Sequence, residues 1–135
     1  MMKLLNKFAF QDFILQIVRF GITGSMATLV HFFTVVLLVE TNHLHPLTAN
    51  IFGFLSGFLI SFSGHRFWTF SETSRTVSAS LPRFLLIATA NFAGNQSLYY
   101  ISLEKLHMHY TIALLFVLGL MALFTYCLSK WWAFR

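Results

Sequence analysis

Charge is scarce in this chain: four acidic and nine basic side chains stand among 135 residues, of which 57% are hydrophobic. That balance is too apolar for a soluble domain of this length and points to an integral membrane protein. Cysteine is nearly absent. Cys127, the single one, stands inside an apolar run, which excludes an internal disulfide and a paired-cysteine metal site; it reads as a small core residue. No nucleophile–base arrangement, paired carboxylates, glycine-rich phosphate loop or metal signature occurs, so neither conventional catalysis nor a bound cofactor is expected. The net charge of +5 does not suggest nucleic acid, because the basic residues are scattered at the edges of apolar segments.

Since about 20 residues cross a hydrocarbon core, the chain has room for roughly four spans and short connections, with no separate soluble domain. The central stretch is Asn50–Phe70, NIFGFLSGFLISFSGHRFWTF. Ala49, Gly53, Gly57 and Ser61 fall on one helical stripe where another backbone can approach closely, and from this stripe a homo-oligomer is expected. His65, Arg66, Trp68 and Thr69 anchor its end at the headgroups.

In order, residues 4–17 suit a short interfacial helix, and the apolar run after Lys3 and Lys7 lacks an A-x-A-like site and is expected to be retained. Spans are expected over about Ile17–Val39, Leu47–Trp68, Leu81–Leu103 and Tyr110–Trp132, with Pro82 in the first turn of the third. Ser71–Ser80 is a Ser/Thr-rich linker. Of the nine Lys and Arg residues only Lys105 falls on one side, so the other eight (9 − 1) place both termini and the middle loop in the cytoplasm. The opposite loops carry His43, His45, His107 and His109; their spacing does not line one helical face, and no metal site is expected there.

The pairs Arg19-Phe20 and Arg83-Phe84 lie 64 positions apart (83 − 19). At that offset, without a gap, Glu40, His43, His45, Ala49, Phe52, Leu59, Trp68 and Phe70 also meet identical residues, and Arg66 meets Lys130. The expected architecture is therefore all-α: a single membrane domain over 1–135, made of two parallel-orientation two-helix repeats at about 17–70 and 81–134.

Polar groups at membrane depth need partners, and they mark either a pathway or a helix contact. His31 and Asn95 are repeat equivalents, with Asn91 one turn away. Arg19, Arg83, Arg66 and Lys130 form two repeat-related pairs at span ends, where they can gather a phosphate or snorkel as anchors.

Arg19-Phe-Gly-Ile-Thr-Gly24, Ala49-Asn50-Ile-Phe-Gly53, Ser61-Phe-Ser-Gly-His-Arg-Phe-Trp-Thr-Phe70, Arg83-Phe84 and Lys130-Trp-Trp-Ala-Phe134 together resemble the GtrA-like family of small four-span bacterial membrane proteins over nearly the whole chain. The chain departs from that pattern at His65, where the family usually has Asn. The resemblance implies translocation of a polyprenyl-phosphate-linked sugar across the inner membrane, alongside glycosyltransferases of the same pathway. In that reading Arg19, His31, His65, Arg66, Arg83, Asn91, Asn95 and Lys130 contact the substrate. Two alternatives stand beside it: an accessory subunit that holds a glycosyltransferase, and a proton-coupled exporter. The exporter needs a deep carboxylate, whereas Asp12, Glu40, Glu72 and Glu104 all lie at span edges or in loops.

Overall fold

The computed structural model describes the backbone of residues 2–69 and 76–132, and the side chains of 10–69, 76–79, 81–82 and 84–124. The described residues are helical apart from short connections. Helix α1 is Met2–Asn42, α2 is Pro46–Gly64, α3 is Val77–Tyr100 and α4 is Tyr110–Trp132. A π-helical turn extends α2 over His65–Thr69, and another extends α3 over Ile101–Lys105. Two stretches, Phe10–Asn42 and Pro46–Thr69, are long and apolar enough to cross a membrane. The described apolar part of α4 is shorter, Tyr110–Phe124.

Two expected boundaries move. The interfacial helix at 4–17 is not separate, because α1 runs unbroken from Met2 to Asn42. Asn6, Gln11 and Asp12 interrupt its apolar pattern without removing a backbone hydrogen bond, so they change what the helix faces rather than ending it. Likewise α3 begins at Val77, inside the expected linker, and Pro82 lies past its first turn. Proline at that depth costs α3 one internal hydrogen bond.

Among the described residues the α1–α2 hairpin is closely packed, and glycine makes it possible. A Cβ on Gly53 would stand 2.5 Å from His31 Cδ2 and 2.6 Å from Val35 Cγ2. On Gly57 it would meet the Ala27 carbonyl oxygen at 3.1 Å, and on Gly64 it would collide with the Thr23 side chain. The small-residue stripe of α2 thus receives α1 of the same chain. At Gly53 and Gly57, therefore, the partner of the stripe is a helix of the same chain.

The α2–α3 contact is built differently, from phenylalanine rings. Phe54 stacks on Phe92 with centroids 4.4 Å apart, while Phe58 and Phe62 both lie against Phe84 at 5.6 and 5.5 Å. All four helices meet near the histidine loops, where Val35, Ala49, Tyr99, Ala113, Leu114, Val117 and Leu118 form the buried apolar core.

The two histidine loops share their turning and capping geometry at the 64-residue offset. His43 and His107 take left-handed backbone, φ 52° and 50°. Leu44 N–H donates to the Leu38 carbonyl at 3.3 Å, and Met108 N–H to that of Ser102 at 3.0 Å. His45 Nδ1 accepts from Leu47 N–H at 3.3 Å, as His109 Nδ1 does from Thr111 N–H at 3.4 Å. These histidines turn the chain and cap the next helix, satisfying donors that a helix N-terminus leaves unpaired. Pro46 follows its cap at a position where a missing N–H costs nothing.

Candidate functional site

Three helices converge on a buried polar cluster at the depth of Asn50. Asn50 projects from α2 and is fully buried; His31 of α1 is 7% exposed and Asn95 of α3 is 6% exposed. Asn50 Nδ2 donates to Asn95 Oδ1 at 2.8 Å and to Gln96 Oε1 at 2.6 Å, so both of its hydrogens are engaged. Its Oδ1 therefore faces His31 Nε2, 2.7 Å away, and the imidazole must be the donor there. Gln96 Nε2 closes the chain by donating to the Leu47 carbonyl at 2.9 Å. No member carries a fixed charge.

Sequence reasoning placed His31 and Asn95 here but missed the residue that joins them. They do not bond one another: Asn50 stands between. Asn50 and Gln96 were visible as amides within apolar spans, yet nothing local marks Asn50 as a hub, because its partners come from 19 residues before it and 45 and 46 after it. Asn91 lies one turn from Asn95 along α3 and is half-buried.

The other expected group lies at the far end of α2. His65 is buried, stacked on Phe20 with centroids 4.5 Å apart and 6.2 Å from Phe84, and its Nδ1 is 3.3 Å from Thr69 Oγ1. It is packed among rings rather than presented at a surface. Arg19 Nη1 reaches the Trp68 carbonyl at 3.5 Å, and its guanidinium lies 6.0 Å from the indole. A cation there neutralises the carbonyl end of α2 and its π turn. Arg66 is half-buried with its guanidinium 5.7 Å from the Phe67 ring. The π turn places His65 and Thr69 inward on one side of the chain while Phe67 and Trp68 stay exposed. The side chains of Arg83 and Lys130 lie outside the described residues, and so do the pairings expected of them. Near this end the Thr23 hydroxyl, 2% exposed, has no hydrogen-bond partner among the described residues.

The Phe54–Phe58–Phe62 row of α2 links the two ends, running from one turn beyond Asn50 to the turn before His65. Among the described residues no group of three or more His, Cys, Asp or Glu side chains could hold a metal ion. The exposed face of the molecule is strongly apolar, with Met26, Phe33, Leu37, Leu59, Leu86 and Leu115 all more than half exposed, as lipid contact requires. The arrangement is that of a membrane protein whose interior offers neutral hydrogen-bonding groups at one level and cations at one end.

A family model described as GtrA/DPMS, transmembrane domain, matches residues 19–134. Neither a comparison with curated proteins nor one with solved structures returned a match.

Proposed function

The chain belongs to the GtrA/DPMS transmembrane-domain family, and from that premise we propose that it moves a polyprenyl-phosphate-linked sugar between the leaflets of the bacterial inner membrane. The observation that carries the reading is the neutral relay His31–Asn50–Asn95/Gln96 at membrane depth. A headgroup that leaves water loses hydrogen bonds worth several kcal/mol each unless the protein replaces them. The relay supplies such replacements, while Arg19 and Arg66, joined by Arg83 and Lys130, attract the phosphate at the basic end. The prenyl tail stays in lipid throughout. Direction comes from consumption of the lipid on the far side by glycosyltransferases of the same pathway, so the protein itself performs no covalent chemistry.

In this reading the four helices all span the membrane as two parallel repeats, each bringing one histidine loop to the outer surface. The matched loop geometry at the 64-residue offset supports the repeat, and the eight-to-one distribution of basic residues supports cytoplasmic termini. Cysteines placed at Asn42 and Leu106 are expected to react with an impermeant thiol reagent from outside, and one at Ser74 is not; the inverse pattern would reverse the orientation.

The function is tested with proteoliposomes containing only this protein and a labelled polyprenyl-phosphate sugar. Leaflet exchange well above that of protein-free vesicles is expected. Exchange equal to empty vesicles, from a preparation that still supports glycosylation in cells, would replace translocation by the accessory-subunit reading.

A further inference from the structure

We infer that Asn50 and Gln96 determine which headgroup this protein prefers: one bearing hydroxyl groups, such as a sugar, over a bare phosphate on the same prenyl chain. The lipid is taken from the proposed function, but the preference is a property of binding and is measured apart from transport.

The argument starts from what each group in the relay has left to offer. Asn50 donates both amide hydrogens, to Asn95 Oδ1 at 2.8 Å and Gln96 Oε1 at 2.6 Å, and accepts from His31 at 2.7 Å. Every link is therefore an N–H facing an oxygen or the reverse. A guest that enters such a link must donate to one side and accept from the other, or it strands a buried polar group. A hydroxyl does both. A phosphate dianion only accepts, so it would satisfy the Asn50 and His31 donors while pressing its oxygens against Asn95 Oδ1 and Gln96 Oε1. An alkyl group satisfies neither.

Location adds a second reason. Gln96 is half-buried, unlike Asn50, and its amide already reaches the α2 backbone at the Leu47 carbonyl, 2.9 Å away. It is the relay member from which a guest hydroxyl can take over a bond with least disturbance. The seam between α2 and α3 that leads to it is lined by Phe54 and Phe92. These rings offer flat apolar faces of the kind that the C–H face of a sugar ring covers, and they offer nothing to a phosphate. Sites that hydrogen-bond a substrate hydroxyl discriminate strongly against an analogue lacking it, because the site's own groups are left unpaired.

The test uses full-length protein in nanodiscs of phosphatidylethanolamine and phosphatidylglycerol. Equilibrium binding is measured for a short-chain prenyl phosphate carrying one glucose and for the same prenyl phosphate without sugar. Wild type is expected to bind the glucose-bearing lipid about tenfold more tightly, the equivalent of one net hydrogen bond. Asn50→Leu is expected to abolish the preference, so that the glucose-bearing lipid and the bare phosphate bind within twofold of each other. Gln96→Met, which keeps the length of a half-buried side chain, is expected to do the same and carries the test if the Asn50 variant does not fold. Equal binding of both lipids by wild type, or a preference retained in folded Gln96→Met, overturns the inference. A preference lost in the variants together with no leaflet exchange by wild type would sustain it while rejecting translocation.

Discussion

Toward α1, the second helix presents Gly53, Gly57 and Gly64; toward α3, it presents Phe54, Phe58 and Phe62. On the glycine side the His31, Val35 and Thr23 side chains of α1 occupy the space where Cβ atoms would be, and at Gly57 the Ala27 carbonyl itself stands there, so little room is left for the spacing to change. On the phenylalanine side the helices are held apart by rings, each with two rotatable bonds, and a change of spacing can be taken up by turning side chains. One helix thus has a fixed face and an adaptable face. The Asn50 amide joins them, bonded to α1 by its oxygen and to α3 by its nitrogen.

The contrast is broken most severely at Gly53. Gly53→Leu drives a side chain into His31 and Val35, and we expect a loss on the order of 3 kcal/mol or more, read as a collapsed yield of monodisperse protein and an early unfolding transition in detergent. Gly21→Ala is the control: a Cβ there meets nothing within 4 Å, so helix propensity should raise stability by up to about 1 kcal/mol. A tolerated Gly53→Leu would mean that the hairpin is not fixed.

Next comes the joint itself. Asn50→Leu copies the residue found 64 positions later, Leu114, which is also fully buried. It strands the His31 donor and the Asn95 and Gln96 acceptors, and the expected cost is about 3 kcal/mol, the low end of 1–3 kcal/mol for each group left unsatisfied. The double variant Asn50→Leu with Gln96→Met should cost less than the sum of the two. Additivity would show that the amides act separately.

Phe58→Leu sharpens the other side of the comparison. Because the seam can repack, we expect no more than about 1.5 kcal/mol, well below the Gly53 variant in the same assay. A loss as large as that at Gly53 would make the two faces equivalent. The smallest effect is expected at the histidine loops. His45 and Glu104 approach to 4.0 Å but are 58% and 47% exposed, so Glu104→Gln should change stability by less than about 0.5 kcal/mol, the ordinary value of an exposed pair.

Much of this arrangement was legible in the sequence, and what was not has a common cause. The start of α2, within one residue of Leu47, and the Tyr110–Trp132 extent of α4 follow from local signals. The glycine stripe was correctly a close helix contact, but a stripe does not name its partner, and α1 rather than a second chain fills it. Asn6, Gln11 and Asp12 suggested a break in α1 that polar side chains alone do not produce. The turning and capping roles of the loop histidines were not legible, because a left-handed backbone and a ring-nitrogen cap leave no mark on residue spacing. Asn50 was missed for the same reason as the stripe's partner: its meaning comes from α1 and α3 together. The family motif contained Asn50, and within an otherwise apolar run its amide was the one available signal.

The identical closures at His43–Leu47 and His107–Thr111 also bear on how the chain assembles. Each helix pair can close on itself across a turn of three or four residues, with contacts short in sequence, and local contacts form early. The α2–α3 amide bonds instead join residues 45 and 46 positions apart, so they become available only after most of α3 has been made. Synthesis therefore delivers α1–α2 as a finished hairpin with the Asn50 nitrogen still unpaired inside it. That unpaired nitrogen favours capture of α3 at one register, the one that brings Asn95 and Gln96 to it.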